Sequence, residues 1–161
     1  MKIFKIYAIA VSLLMLMAAC GKDDDNGNGG GVVTPPVIEN KLIGIEGEWR
    51  LSSVNGVTPE FTVYICFCGD IFNLYQQLYT LDYVFYDGVF DVEGNILSGS
   101  YFDGELWKCS YDGELTENDN VLTLVSRETN PITNVYVRTA IPEDVIKEAT
   151  TRSAVEFNYH L

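Results

Sequence analysis

Histidine is almost missing from this 161-residue chain: the single one, His160, stands beside the C-terminal leucine. A site built on two imidazoles, whether a zinc centre or a Ser-His-Asp relay, has little material here. Positive charge is scarce too. Ten Lys and Arg stand against 23 Asp and Glu, a formal charge of -13, so no basic surface can neutralise a phosphate backbone and nucleic acid is excluded as a partner. Long apolar runs are also lacking: the uncharged stretch from Ile6 to Ala19 falls short of the roughly 20 residues a membrane-crossing helix needs, and Gly21-Lys22-Asp23-Asp24-Asp25 ends it abruptly. The length suits one modest domain with terminal extras and leaves little room for a two-domain enzyme.

Residues 1–19 read as a signal peptide, with Lys2 and Lys5 ahead of the apolar run and small residues at its end. Leu16-Met17-Ala18-Ala19-Cys20 resembles the bacterial lipobox. That resemblance implies a lipoprotein whose mature chain starts at Cys20, carrying a diacylglycerol thioether and an amide-linked acyl chain such as palmitate. Several acyl chains, at about 0.8 kcal/mol per buried methylene, hold a protein durably on a membrane that it does not cross.

Residues 20–46 are expected to be this lipidated cysteine and a flexible tether. The Asp run, Gly29-Gly30-Gly31 and Pro35-Pro36 carry too little apolar mass to fold. Asp24, Asn26, Asn28 and Gly29 match the first half of a calcium loop, but Pro35 stands where the closing glutamate belongs, so no metal site is assigned. Lys22-Asp23-Asp24-Asp25 resembles the surface-export signal of Bacteroidetes lipoproteins. It implies an outer-membrane protein facing outward, with a periplasm-facing orientation as the alternative.

Residues 47–161 read as one β domain. Val, Ile, Leu, Tyr, Phe and Thr dominate, and Asp87-Gly88, Gly94-Asn95, Asp103-Gly104 and Asp112-Gly113 suggest closely spaced hairpin turns. Phe61, Val63, Ile65 and Phe67 alternate with Thr62, Tyr64, Cys66 and Cys68 at the period of a strand. Strands are expected near 47–54, 60–68, 79–86, 89–93, 96–102, 106–115, 121–126, 131–139 and 153–161. Helices are expected over Ile71 to Leu78, capped by Asp70, and from Pro142 to about Ala149. The predicted architecture is all-β: an antiparallel up-and-down meander closing into a barrel, with one short late helix. A β-sandwich is the alternative.

Gly47-Glu48-Trp49 in the first strand, continued as Arg50-Leu51-Ser52-Ser53-Val54-Asn55-Gly56, resembles the opening of lipocalins and of lipocalin-like lipoproteins of Bacteroidetes. The resemblance implies that Gly47 and Trp49 lie at the closed end of a barrel, with an arginine packed on the indole. By position Arg138 is the first candidate and Arg152 the second. Such a pair would contribute on the order of 1 kcal/mol as a cation-π contact.

The remaining chemistry is sparse. In an oxidising envelope one disulfide is expected, Cys109 with Cys66 or Cys68, since Cys66 and Cys68 point the same way from one extended strand, a poor geometry for bridging each other. The acids between Asp82 and Asp119 leave a glycosidase-like carboxylate pair open, but Asp87, Asp103 and Asp112 precede glycines and read as turn residues. No catalytic residue and no cofactor is assigned. Trp107 and Tyr111 would share a face of one strand, and Tyr83 and Phe85 a face of another, as candidate linings of a cavity. The expected function is binding of a small, largely apolar ligand by a non-enzymatic, membrane-anchored barrel. A surface module for a glycan or an unidentified envelope protein is the alternative.

Overall fold

The computed structural model describes residues 42–78 and 81–151. Eight antiparallel strands follow in order: β1 (Gly47–Val54), β2 (Thr62–Cys68), β3 (Ile71–Gln77), β4 (Val84–Glu93), β5 (Ile96–Tyr101), β6 (Tyr111–Thr116), β7 (Val121–Ser126) and β8 (Thr133–Arg138). Each bonds its neighbours in sequence, and β8 returns to β1 with Trp49 opposite Arg138 and Leu51 opposite Tyr136. The meander therefore closes into an eight-stranded barrel, which removes the sheet edges that an open meander would expose. A short helix, α1 (Glu143–Glu148), follows. The two-residue strand β9 (Thr150–Thr151) then runs parallel to the start of β4, beside Val84 and Phe85, where β5 does not reach.

Alternation places the core. Val63, Ile65 and Phe67 on β2, Phe72 and Leu74 on β3, and Leu122 and Leu124 on β7 are buried and point inward. With Trp49, Leu97 and Tyr136 they form one continuous cluster. A second cluster lies outside the barrel wall, where Ile141 and Val145 from the α1 region cover Tyr64 and Tyr75. From Val63 to Phe67 the side chains of β2 thus meet an apolar neighbour on whichever face they occupy, and the strand is buried on both sides over that length.

Four sequence expectations change. Ile71–Gln77 is strand β3 and not a helix, because Phe72 and Leu74 pair with β2 on one side and β4 on the other. The two strands expected around Asp87-Gly88 are one continuous β4, and Asp112-Gly113 lies inside β6. Both glycines answer a close approach and not a turn: a Cβ at Gly88 would lie 2.7 Å from the Phe72 ring, and one at Gly113 would lie 2.8 Å from Leu42. The strand expected over 106–115 begins only at Tyr111, because residues 102–110 leave the wall as a loop. Leu42 and Ile45, read as tether, are buried in the barrel core, so the tether stops short of them. The signal peptide, Cys20, the tether up to residue 41, Arg152 and the strand expected over 153–161 lie outside the described residues.

Candidate functional site

One end of the barrel is sealed. The 42–46 segment lies there with the turns at Gly69-Asp70, Gly94-Asn95 and 117–120. Trp49 is fully buried and its indole Nε1 donates to the Ile45 carbonyl at 2.8 Å. The Arg138 guanidinium stands 4.1 Å from the centre of the Trp49 ring. It also donates to the carbonyls of Gly44, Glu46 and Asp119 at 2.8 to 2.9 Å. Gly47 has φ +128, and a Cβ there would lie 2.3 Å from an Arg138 nitrogen. Gly47, Trp49 and Arg138 therefore act together as one lock, tying β1, β8, the 42–46 segment and the β6–β7 turn. All four donors of that lock are directed at the protein itself.

The opposite end carries the longer connections, 55–61, 78–83, 102–110 and 127–132. Three of them present large apolar side chains to solvent: Val57, Leu81, and the pair Phe102 and Leu106. Leu81 is 93% exposed, while its carbonyl accepts from the Gln77 side-chain amide.

Between the two ends the interior changes character. Near the sealed end it is apolar, with Phe67 and Phe90 edge to face at 4.8 Å and Leu97 and Leu122 fully buried. Toward the open end the inward positions become polar: Gln76 on β3, Ser126 on β7 and Asn134 on β8, all buried and all uncharged. The Ser126 hydroxyl accepts from the Ile132 amide at 2.8 Å. Three other buried polar atoms have no partner: Trp107 Nε1, Asn134 Oδ1 and the Tyr136 hydroxyl. Leaving such a group unmatched costs about 1 to 3 kcal/mol each.

Those three groups belong to one neighbourhood. Asn134 and Tyr136 are successive inward residues of β8. Tyr136, Tyr111 and Trp107 belong to the same interior cluster, and the Tyr111 ring meets Trp107 edge to face at 6.2 Å. Burial pushes the Tyr136 hydroxyl pKa well above its ordinary value. It does the same at Tyr111, with Cys109, Tyr136 and Tyr101 adding to the shift. The medium around these hydroxyls is thus one that opposes charge.

Trp107 reaches this neighbourhood from the loop and not from a strand. β5 and β6 share only two residue pairs, Ile96 with Asp112 and Leu97 with Tyr111. Above them the loop folds back along β5, with the Trp107 amide donating to the Gly99 carbonyl at 3.0 Å. The indole then lies 5.1 Å from Phe72, edge on. An outward groove of about 420 Å³, lined in part by Val89, Ser98, Leu106, Trp107 and Cys109, runs along this seam.

The four candidate lining residues separate. Trp107 and Tyr111 belong to the interior cluster. Tyr83 and Phe85 do not: they pack outside the wall with Tyr64, Tyr75 and the α1 region. The phase of β4 decides this: Phe85 shares its face with Asp87, Asp91 and Glu93, whereas Val84, Tyr86, Phe90 and Val92 face the core. The expected disulfide is absent, and Cys66, Cys68 and Cys109 are all free thiols. Cys66 packs on the outer cluster, whereas Cys109 sits in the 102–110 loop against the interior cluster and beside the outward groove, so the two thiols have different surroundings. Asn134 and Tyr136 are the residues that sequence reasoning missed; their signal was the inward phase of β8, in which Asn134, Tyr136 and Arg138 share one face.

No protein-family model and no curated protein matches the chain. Among solved structures, one described as "REP1-NXSQ fatty acid transporter" is similar at 14% identity. The match covers 61% of this chain and 98% of that one, with a TM-score of 0.36. So loose a superposition carries no residue correspondence.

Proposed function

We propose that this protein is an outer-membrane lipoprotein, acylated at Cys20, whose lipocalin-like barrel binds a small, largely apolar molecule through its open end without transforming it. The observation that carries the ligand-binding reading is the trio of Trp107 Nε1, Asn134 Oδ1 and Tyr136 hydroxyl. They are buried without partners in an interior lined mostly by aromatic and aliphatic side chains. Strong hydrogen-bonding groups left open in such a place fit a guest that supplies the missing partners and offers apolar surface to the rest. The exposed Val57, Leu81, Phe102 and Leu106 at the open end suit a guest arriving from an apolar phase.

The anchoring reading rests on the sequence: the lipobox-like Leu16-Met17-Ala18-Ala19-Cys20 and the acidic Lys22-Asp23-Asp24-Asp25. Surface display, with the barrel held off the membrane by its tether, follows from the same stretch. The same open-end side chains favour a second reading, a cell-surface module in which Leu81, Phe102 and Leu106 contact a glycan or an envelope protein.

Native mass spectrometry of the full chain, taken gently from its membrane, separates the two. A reproducible non-covalent excess of a few hundred daltons supports the binding protein. A bare mass combined with a self-associated or partner-bound species sinks it in favour of the interaction module. Alkyne-palmitate labelling that survives in the parent and disappears in Cys20→Ala supports the anchor; equal labelling in both rules Cys20 out.

A further inference from the structure

The polar trio in the barrel also bears on what kind of head group the guest has. Trp107 Nε1 can only donate, Asn134 Oδ1 can only accept, and the Tyr136 hydroxyl can do either. A hydroxyl or a carbonyl-plus-hydroxyl matches that set, because it accepts from the indole and donates to the amide oxygen. A carboxylate accepts only: it can accept from the indole and the phenol but leaves Asn134 Oδ1 without a donor.

A buried carboxylate also needs a cation, and the cations of the described residues are committed elsewhere. Arg138 is spent on three backbone carbonyls and the Trp49 ring at the sealed end. Arg127 pairs with Asp112, Lys108 with Glu128 and Lys147 with Glu143. Arg50 is exposed on β1 between the inward-facing Trp49 and Leu51. The buried polar residues of the interior, Gln76, Ser126 and Asn134, are all neutral. Burial of an unpaired charge costs far more than burial of a hydroxyl that finds its bonds. The net charge of -13 further opposes the approach of an anion.

Building on the ligand-binding reading above, we infer that the interior takes an uncharged amphipath, a lipid bearing a hydroxyl or carbonyl head, and rejects the corresponding carboxylate. The head group sits between Trp107 Nε1, the Tyr136 hydroxyl and Asn134 Oδ1, and the apolar body lies against the aromatic and aliphatic side chains.

The two tryptophans make this readable. Trp49 Nε1 is already bonded to the Ile45 carbonyl, whereas Trp107 Nε1 is open. The indole N–H resonances of the isotope-labelled full chain, held in phosphatidylcholine nanodiscs and assigned with Trp107→Phe, are followed while dodecanol or dodecanoate is added at neutral pH. The expected result is a downfield shift of the Trp107 signal with dodecanol, no movement of Trp49, and a midpoint for dodecanoate at least about tenfold higher, equivalent to 1.4 kcal/mol. Acidifying through the carboxyl pKa should narrow that gap, because the protonated acid regains a donor. Tyr136→Phe, nearly isosteric, should weaken dodecanol severalfold and leave dodecane, measured by displacement of a bound apolar dye, unchanged.

Equal or tighter binding of dodecanoate overturns the head-group inference and leaves the ligand-binding reading standing. Failure of dodecanol, dodecanoate and dodecane alike overturns both.

Discussion

The Trp107 indole lies so close over Gly99 that a Cβ on residue 99 would stand 2.6 Å from the ring. The loop that carries Trp107 and the strand that carries Gly99 are therefore fitted to each other, although the loop makes no full strand pairing with β5. Gly99→Ala should expel the indole from the interior or strain β5, whose Val89 partner carbonyl would lie 2.7 Å from the same Cβ. Overpacking of this kind costs about 1 to 3 kcal/mol. Urea denaturation should show the loss, and Trp107 emission should move toward the red in the native state; an unchanged midpoint with unchanged emission would refute the fit.

Arg138 is the second point of dense contact. Arg138→Ala removes three hydrogen bonds to carbonyls of two segments and the stack on Trp49. The expected loss is about 2 kcal/mol, well below the sum for three charged hydrogen bonds, because Arg138 is exposed and water replaces most of each bond. Arg138→Lys should recover only part of it, because an ammonium cannot span the Gly44, Glu46 and Asp119 carbonyls at once. Hydrogen exchange should quicken first in residues 42–46, which the guanidinium holds.

Alkali should unfold the barrel through its buried phenols. Tyr111 and Tyr136 have pKa values raised above the ordinary tyrosine value of 10.0 by burial. Below about pH 10 both folded and unfolded states keep these protons, and no stability is lost. Above it the unfolded chain releases them while the folded chain retains them, so stability falls as pH rises, by up to about 1.4 kcal/mol per pH unit for each tyrosine. Tyr136→Phe should flatten that limb. Thermal melts recorded across the alkaline range, beside tyrosinate absorbance, check both the sign and the slope.

The thiols should react in order of exposure and ionisation. Cys68 is exposed, whereas burial, Glu48 and Cys68 together push the Cys66 thiol pKa up. A small alkylating reagent near neutral pH should therefore label Cys68 ahead of Cys66. Intact mass after denaturing alkylation should show Cys66, Cys68 and Cys109 all modified without prior reduction. A pair protected until reductant is added would contradict the free thiols of the barrel.

Local rules made much of the barrel legible in advance. Side chains on a strand alternate by backbone geometry alone, so the inward set Val63, Ile65 and Phe67 could be read without knowing any partner. The same holds for β1 (Gly47–Val54) and β7 (Val121–Ser126), whose limits match those expected. The proline and acids at Pro142-Glu143-Asp144 marked α1 in the same local way, although Pro142 proves to be its cap.

What local rules could not carry was any choice made by residues distant in the chain. Asp87-Gly88 has the composition of a turn, yet Phe72 and the backbone of Ser100 close in on Gly88 and keep it in mid-strand. Tyr83 and Phe85 pack outside the wall, and the cover they find there, Ile141 and Val145, comes from a distant segment. Cys66 and Cys109 could be counted but not placed, since a disulfide depends on a separation that only the folded chain decides. The sequence by itself determined the acidic balance, the all-β class and the phase of strands such as β2 and β7, because hydropathy and period are properties of neighbours in the chain. Only the tertiary structure decided that Trp107 enters the interior from a loop, and that Trp107, Asn134 and Tyr136 leave polar atoms open there, because burial and hydrogen-bond partners exist only once the strands have closed on one another.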